Sequence, residues 1–295
     1  MIERSRRFVR DLTGKLRYRY LPRWVDYLTV IATRQTSKKP AAAGLKRVLV
    51  DNTVLAHGVT HETAWVSTGK VRWGDHEVDT GYAARIPVHD DHDQSEAARS
   101  VRYLPGIVSL AQRGDLTLAI SRELQDEQWT QPLGRFKGYG YFDLSLFGSV
   151  AFDVIEDAQY SVVFGESTGF PGVREQRSRR LAAKEDPLYR QLLSVLGTSN
   201  SQDAWHIVTA ERNDCYCFLT MDFSLIRSVR AQAKNKAIEA LKTRVLSPED
   251  FGREFSITPI SPRLFSYHRA SFPVVHQDNW PDSKRRGPSK DPSRD

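Results

Sequence analysis

The sequence predicts an α/β fold in which a parallel sheet carries helices on both faces. Two short apolar segments, residues 48–50 and 215–221, each lead directly into an aspartate, Asp51 and Asp222. Continuous apolar residues, rather than alternating ones, are typical of strands that are covered on both faces. Helical periodicity separates these strands from one another and from two further ones. The connections are therefore long enough to be the crossovers that a parallel sheet requires.

Length and composition limit the class of protein. The chain has 295 residues, of which 40% are hydrophobic, so it can form one large domain or two small ones. It contains no apolar run long enough to span a bilayer and no signal-peptide pattern, and we expect no membrane partner. Its two cysteines, Cys215 and Cys217, are too close in sequence to bridge the fold. We expect reduced cysteines in the core, on one face of their strand, and a cytoplasmic location.

The basic residues are concentrated in an N-terminal arm, residues 1–44. Residues 1–47 contain 13 Lys and Arg against three acidic residues, a net charge of +10, although the whole chain carries only +7. We expect a helix over residues 1–32 with a break at Pro22, followed by a linker over residues 33–44. Arginines for phosphates and aromatic rings for base stacking suit a nucleic-acid contact. The alternative is an amphipathic helix whose aromatic residues dock on the domain. The candidate phosphate-binding residues are Arg6, Arg7, Arg17 and Arg19.

The main domain is expected over residues 45–258, with an insertion at about residues 56–94. Alternating segments between Gly69, Gly74 and Gly81 predict a small β-meander in this insertion. A helix interrupted near Pro105 should follow. The remaining predicted elements are a strand over residues 116–120, a helix capped by Ser121, a helix opening at residues 198–203, a helix over residues 225–241, a strand over residues 244–246 and a helix capped by Ser247.

A second insertion is expected at residues 131–198. It begins with a run of glycine, aromatic and basic residues that includes Arg135 and Lys137. This run could bind single-stranded nucleic acid or could be an ordinary turn. A strand-like apolar segment over residues 142–156 and a basic helix over residues 174–196 should follow. Residues 259–295 are expected to form a tail that is largely disordered at its end.

Acidic residues follow the predicted strands. Asp51 and Asp222 come directly after two of them, Glu123 and Glu127 share one face of the helix after a third, and Asp203 lies in a first helical turn. In open parallel sheets, ligands bind at the carboxyl ends of the strands. Carboxylates gathered there would repel one another unless a cation neutralised them. Oxygen ligands without histidine or cysteine favour Mg²⁺ or Mn²⁺, which can activate water and offset charge on a phosphoryl group.

Five segments of the sequence resemble, in order and local context, the motifs of the PIN-domain nucleases, a family of α/β metal-dependent ribonucleases. These segments are Val48-Leu-Val-Asp51-Asn-Thr-Val-Leu, Leu118-Ala-Ile-Ser-Arg-Glu-Leu-Gln-Asp-Glu127, Gln202-Asp203-Ala-Trp-His-Ile-Val-Thr-Ala, Leu219-Thr-Met-Asp222-Phe and Val245-Leu-Ser-Pro-Glu-Asp-Phe251. The resemblance implies that the metal-binding and catalytic acids are Asp51, Glu127, Asp203 and Asp222. It also implies that Thr220 is the hydroxyl beside the metal. Asn52 and Glu123 are further candidates for supporting residues; Glu123 does not fall at the family position but shares the helical face of Glu127. The choice between Glu123 and Glu127 as the second ligand stays open.

The function that the resemblance implies is a divalent-metal-dependent endoribonuclease that uses water as the nucleophile and leaves 5′-phosphate products. RNA is the expected partner and DNA the second choice, and the oligomeric state is open. Two alternatives remain: a non-catalytic PIN-like module that binds RNA or protein, and a nuclease specific for DNA or for structured junctions. The N-terminal arm and both insertions have no counterpart in a minimal PIN domain.

Overall fold

A computed structural model of the protein describes residues 2–36, 47–90, 92–130, 146–155 and 171–267. Its strands are β1 (Arg47–Val50), β2 (His61–Trp73), β3 (His76–Pro87), β4 (Thr117–Ser121), β5 (Asp153–Ile155), β6 (Cys217–Leu219) and β7 (Arg244–Leu246). Its helices are α1 (Ile2–Ala32), α2 (Asn52–His57), α3 (Glu96–Val101), α4 (Leu104–Gln112), α5 (Arg122–Thr130), α6 (Val173–Ala182), α7 (Pro187–Leu196), α8 (Ser201–Arg212), α9 (Phe223–Ala231), α10 (Lys236–Glu239) and α11 (Pro248–Glu254). Short 3₁₀ turns cover Leu146–Ser149, Thr198–Asn200 and Pro262–Tyr267.

The central sheet is parallel throughout and has the strand order β5-β4-β1-β6-β7. This confirms the predicted α/β class with a parallel sheet. From β1 the chain builds outward through β4 to β5, and it then returns to the other side of β1 to add β6 and β7. The strand order therefore reverses between β1 and β6. In open α/β sheets, such a reversal opens a crevice at the carboxyl ends of the two strands, where ligands bind.

The sheet is buried on both faces. Alternate residues of a strand point to opposite faces, and the three apolar residues of β1 are fully buried. Val48 and Val50 pack in a cluster with α1, α4 and α11, whereas Leu49 packs in a second cluster with α7 and α8. The continuous apolar run of β1 thus has the burial that its pattern predicted.

The N-terminal helix covers the predicted residues, but it is uninterrupted and more firmly attached than the sequence predicted. α1 continues through Pro22, so the predicted break is wrong. A proline removes one helical hydrogen bond, and the docking of the second half of α1 compensates for that loss. Val25 is fully buried in the core, and the N–H of Thr258 donates to the carbonyl of Ala32 over 3.0 Å. The second half of the expected arm therefore packs as part of the domain.

The expected linker is also shorter than predicted at its start. Thr33 and Thr36 are both fully buried, and the guanidinium of Arg113 donates to the hydroxyl of Thr33 over 2.9 Å. These residues continue the packed part of the chain. Residues 37–46 lie outside the described residues.

The first insertion is a single long hairpin rather than a β-meander. β2 and β3 pair antiparallel along their whole length. Two glycines that were expected to separate short strands have other roles: Gly69, with φ of +112°, lies at a shift in register, and Gly81 pairs with Ser67 inside the ladder. Gly74, with φ of +63°, makes the one turn between β2 and β3. A positive φ favours glycine at both Gly69 and Gly74.

Two segments that were predicted as single helices, residues 174–196 and 225–241, are pairs of helices. In the first, the carboxylate of Asp186 caps α7 and Pro187 follows at its first position. In the second, Asn235 caps α10. Each break is made by a local capping group that hydrophobic periodicity does not reveal. The interruption predicted near Pro105 is confirmed, since α3 ends at Val101 and Pro105 lies in the opening turn of α4.

The second insertion is described only in part. Within residues 146–155, the described part of the predicted strand-like segment, Leu146–Ser149 is a 3₁₀ turn and only β5 is a strand. Arg135 and Lys137, and the rest of the run that was considered for nucleic-acid binding, lie outside the described residues. So do residues 268–295 of the expected tail, although Ile260 and Phe265 just before them belong to the core.

Both cysteines are free and buried, as predicted, but they do not share a face. Cys217 lies in β6 and packs in the cluster that includes α1, whereas Cys215 packs in the cluster on the other side of the sheet. Cys215 precedes the strand and follows Asp214, whose φ is +50°. The alternation that applies inside a strand therefore does not reach it.

Candidate acidic site at the sheet edge

Two adjacent strands deliver acidic side chains to the point where the strand order reverses. The N–H of Asp51 donates to the carbonyl of Leu219 over 2.9 Å, so the end of β1 is tied to the end of β6. Asp51 starts α2, and Asp222, three residues after β6, starts α9. The acids predicted from the sequence at these two positions are thus neighbours at the carboxyl ends of β1 and β6.

Two threonine hydroxyls hold the carboxylate of Asp51. Thr220 Oγ1 donates to Asp51 Oδ2 over 2.6 Å, and Thr53 Oγ1 donates to the same oxygen over 2.5 Å. Asp51 is only 7% exposed. Burial raises the pKa of its carboxyl group, and the hydrogen bonds from Thr220 and Thr53 oppose that rise. The protein therefore keeps an acid in a place that disfavours its charge, with donors aimed at one of its oxygens.

Asn52 connects the start of α2 to the helix after β4. Its side-chain nitrogen donates to the carbonyl of Leu124 over 2.7 Å and to Oε2 of Glu127 over 2.9 Å. Burial raises the pKa of Glu127, and so does the charge of Asp51, while Asn52, Arg177 and Gln202 lower it. Glu127 thus lies near Asp51 and is oriented by the residue that follows Asp51 in the sequence.

Asp203 completes the group of interacting acids. It lies in the first turn of α8, as the sequence predicted. Its pKa is raised to about 7, first by burial and then by the negative charges of Asp51, Asp222 and Glu127. Asp203 is therefore close enough to each of the other three acids to be repelled by their charges. Acids that interact in this way are chemically suited to exchange a proton for a cation.

Asp222 has a second role as a helix cap. Its Oδ1 accepts hydrogen bonds from the N–H groups of Ser224 and Leu225, over 2.9 Å and 3.0 Å. Its own N–H donates to Thr220 Oγ1 over 3.0 Å. Because both capping bonds use Oδ1, the position of the Asp222 carboxylate is fixed by the backbone of α9.

The two glutamates of α5 have different surroundings. Glu123 is 1% exposed, and Arg180 binds both of its oxygens, over 3.2 Å and 2.9 Å. Arg180 also donates to Asp126 over 2.9 Å, and Arg177 lies 4.0 Å from Glu123. The charge of Glu123 is therefore compensated by arginines of α6. Glu127 instead faces Asn52 and Asp51, so the structure brings Glu127, and not Glu123, to the other three acids.

Several residues that support this site were not singled out by the sequence. Thr53 holds Asp51 and accepts from the N–H of Met221 over 3.0 Å. Gln202, next to Asp203, hydrogen bonds to Glu127. The only sequence signal for Thr53 was that its hydroxyl lies two residues after Asp51, in the first turn of a helix. Arg177 and Arg180 come from the second insertion, and a distant ion pair leaves no local pattern.

His206, one turn after Asp203 on α8, does not contribute a polar group to the site. It is 1% exposed, and its pKa is lowered to about 3, first by burial and then by the positive charge of Arg177. It packs against the ring of Phe218, with the ring centroids 5.8 Å apart. His206 is therefore a neutral core residue near pH 7.

The N-terminal helix keeps Trp24 and Tyr27 on the outside. Arg6, Arg7, Arg17 and Arg19 all lie in α1, and Arg17 and Arg19 are exposed. Trp24 and Tyr27 are 62% and 58% exposed, and their rings are in edge-to-face contact with centroids 6.3 Å apart. The alternative in which these rings dock on the domain is therefore wrong for both residues. The exposed rings and guanidinium groups remain available to a partner.

A cation fits the donor set of the acidic site, with one restriction. Across the described ranges, no three or more His, Cys, Asp and Glu side chains are grouped closely enough to hold a metal ion by themselves. Mg²⁺ usually keeps several water molecules and binds one or two carboxylates together with substrate phosphates, rather than a closed protein cage. Carboxylates that repel one another without forming a closed cage suit an ion of that type. Mg²⁺ and Mn²⁺ remain predictions.

Among the helices of the described ranges, none is long and apolar enough to cross a membrane. Searches against protein-family models, curated proteins and solved structures gave no match to this chain. The resemblance to the PIN-domain nucleases therefore stays a prediction from the sequence motifs.

Proposed function

We propose that this protein is a divalent-cation-dependent nuclease that hydrolyses phosphodiester bonds, with RNA as its substrate. One observation carries the proposal: Asp203 is repelled by Asp51, Asp222 and Glu127, three acids from other segments of the chain, beside the point where the strand order reverses. Burial raises the pKa values of Asp51, Glu127 and Asp203, and the charge of Asp51 raises those of Glu127 and Asp203 further. Such a site is costly to keep unless a cation, and then a substrate phosphate, uses it.

In this proposal Asp51, Glu127, Asp203 and Asp222 hold the cation, and their neighbours orient them. Thr220 and Thr53 fix Oδ2 of Asp51, and Asn52 fixes Oε2 of Glu127. A bound Mg²⁺ or Mn²⁺ would polarise a phosphoryl oxygen and lower the pKa of a bound water molecule. The exposed arginines and rings of α1 would hold the strand through phosphate contacts and base stacking. A cytoplasmic setting, which we also propose, would keep Cys215 and Cys217 reduced.

The proposal is tested by a cleavage assay on single-stranded RNA and DNA of one sequence, with and without Mg²⁺ or Mn²⁺. We expect metal-dependent cleavage of RNA by the parent protein and only background cleavage by Asp51→Asn and Asp222→Asn. Glu175→Gln is the matched control, because that glutamate is exposed and its partner is Arg179, one turn along α6. Full activity of both aspartate variants would show that the reaction, if any, occurs elsewhere. Preferential cleavage of DNA would change the substrate but not the site.

A second candidate is a module of the same fold that binds nucleic acid without cutting it. The observation that favours it is that no three of the described acids are gathered into a ready-made ion site. This candidate predicts binding of single-stranded RNA with no product under any divalent cation. The same assay, read for binding as well as cleavage, separates the two functions.

A further inference from the structure

A charged cavity of about 300 Å³ lies between α3, α9 and the first turn of α11. Its walls carry four guanidinium groups and three carboxylates, so the lining has a net charge of +1. The arginines are Arg99, Arg227, Arg230 and Arg253, and the acids are Glu96, Glu249 and Asp250. Phe223 and Ile226 supply an apolar part of the wall. An excess of arginine over acid in a concave site favours an anionic ligand.

Two of these arginines form only exposed ion pairs. The side chains of Arg227 and Arg230 are 64% and 58% exposed. Arg227 pairs with Glu96 over 2.9 Å and Arg230 with Asp250 over 2.7 Å. Exposed ion pairs contribute only about 0–1 kcal/mol each. A ligand oxyanion can therefore take the place of one carboxylate partner at little cost.

The other two arginines share one acid. Arg99 Nε and Arg253 Nη2 lie 3.1 Å and 2.6 Å from the carboxylate of Glu249, which is 9% exposed. One negative charge therefore serves two guanidinium groups. The positive charge in excess of the carboxylates is located at this shared acid, inside the cavity.

Like the acidic site, the cavity lies at the carboxyl ends of the parallel strands. Phe223 directly follows Asp222, and Ser247, also in the wall, directly follows the last residue of β7. The N–H of Thr220 donates to the carbonyl of Leu246 over 3.0 Å, which holds the ends of β6 and β7 together. Along the carboxyl ends of the strands, the repelling carboxylates therefore lie nearer to β1 and the arginine cavity lies nearer to β7.

We propose that this cavity is a phosphate subsite that holds a phosphodiester of the nucleic-acid strand whose neighbouring phosphate lies at the carboxylates. This proposal rests on the proposed function. A phosphodiester carries one negative charge, which balances the net charge of the lining. Planar guanidinium groups bind two phosphate oxygens at once, which fixes the position of the strand as well as attracting it. The acidic site alone repels a polyanion, so an adjacent basic subsite is needed to bring the backbone to it.

The test compares two double variants of the full chain. Arg227→Gln with Arg230→Gln alters the cavity. Arg47→Gln with Arg244→Gln makes the same change in net charge at the amino ends of β1 and β7. Each of the control arginines also pairs with a carboxylate, Asp153 and Glu254 respectively. Binding of a fluorescein-labelled single-stranded oligoribonucleotide is measured by fluorescence anisotropy in EDTA over a range of salt concentrations. Thermal unfolding of each variant confirms that it is folded.

We expect the cavity variant to bind about tenfold more weakly, with a salt slope that is shallower by roughly 0.7–1.4, because one or two phosphate contacts are lost. The control variant should bind like the parent. Equal binding by the cavity variant and the parent, or equal weakening in both double variants, would overturn the subsite. The ion pairs would then serve only to join α3, α9 and α11.

Failure of the subsite can be told from failure of the proposed reaction. Asp51→Asn should retain binding in EDTA, because it leaves the cavity intact. If the parent cleaves RNA and the cavity variant binds normally, the subsite is wrong and the nuclease stands. If the parent binds through the cavity but never cleaves, the subsite stands and the nuclease reaction is wrong. If the parent binds no RNA or DNA, both proposals fall.

Discussion

Thr220 Oγ1 lies 2.6 Å from Asp51 Oδ2, to which it donates a hydrogen bond between the ends of two neighbouring strands. Thr220 Oγ1 also accepts a hydrogen bond from the N–H of Asp222 over 3.0 Å. One small side chain thus joins two acids that are 171 positions apart in the sequence. The hydroxyl stabilises the charged form of a carboxylate whose pKa is raised by burial, and it ties that carboxylate to the helix cap at Asp222.

Thr220→Val should weaken the acidic site without removing an acid. Valine keeps the shape of threonine but cannot donate to Asp51, so the pKa of Asp51 should rise further. Removing a partner from a buried charged group costs about 1–3 kcal/mol, and we expect this loss in urea unfolding at pH 8. Supporting groups of this kind typically change metal affinity or activity by about 10–100-fold. Thr29→Val, which removes a hydroxyl bonded only within α1, should leave cleavage unchanged.

Glu123→Gln and Glu127→Gln should have opposite signatures although both residues lie on α5. Glu123 is 1% exposed and compensates Arg180 and Arg177, so its neutralisation should destabilise the fold by about 3 kcal/mol. Glu127 is repelled by Asp51, so Glu127→Gln should cost little stability and should instead abolish cation binding and cleavage. Urea unfolding and cleavage rates are measured on both variants. A stable, inactive Glu123→Gln beside an active Glu127→Gln would reverse the assignment.

The sequence alone could not decide which of these two glutamates belongs to the acidic site. Their four-residue spacing predicted a shared helical face, and it could not decide which of them meets Asp51. That choice depends on Arg180, 57 residues further along the chain, and a distant ion pair has no local signature. By contrast, Asp51 and Asp222 could be located because each follows a mainly apolar strand segment, a pattern set by burial on both faces.

The strand order could not be derived from the sequence for a related reason. Periodicity identified β1, β4, β6 and β7, but it does not state which strands become neighbours. The pairing of β1 with both β4 and β6 creates the reversal beside Asp51. The interruption near Pro105 was predicted from the proline, but the breaks at Asp186 and Asn235 were not, because such a capping residue also fits a continuous polar helix face. Capping at Ser121 and Ser247, which directly follow short strands, was predicted and is confirmed.

The raised pKa of Asp203 predicts how stability depends on pH. In the unfolded chain this carboxyl group titrates near pH 4, whereas in the fold its pKa is about 7. Between these values the folded protein binds more protons than the unfolded chain, so the free energy of unfolding should fall as pH rises from about 4 to about 7. The contribution is on the order of 4 kcal/mol. Asp203→Asn should remove it and make the protein more stable than the parent at pH 8 in EDTA.

Divalent cations supply the complementary measurement. Mg²⁺ should raise the thermal midpoint of the parent at pH 8, because an ion that binds only the folded state stabilises it. The rise should be smaller at pH 5, where protons occupy the same carboxylates, and absent in Asp203→Asn. Asp75→Asn, in the exposed hairpin turn, should respond to Mg²⁺ as the parent does. A pH profile of Asp203→Asn that matches the parent would contradict the repulsion described for this site.

The last prediction concerns α1, whose two halves should respond differently to truncation. Removal of residues 1–44 also removes Val25 and the Ala32 carbonyl that binds the N–H of Thr258, so that protein should not fold stably. Removal of residues 1–20 leaves the docked half in place. It should keep the thermal midpoint while weakening RNA binding and flattening its salt dependence, because phosphate contacts are lost.

Two point variants separate charge from stacking within α1. Arg17→Gln with Arg19→Gln should flatten the salt slope of RNA binding, because guanidinium contacts to phosphate release counterions. Trp24→Ala with Tyr27→Ala should weaken binding by about 1–3 kcal/mol for each stacked base and leave the slope unchanged. Since both rings are more than half exposed, their removal should not affect unfolding. An unchanged affinity and slope in both variants would assign this face of α1 to a partner other than nucleic acid.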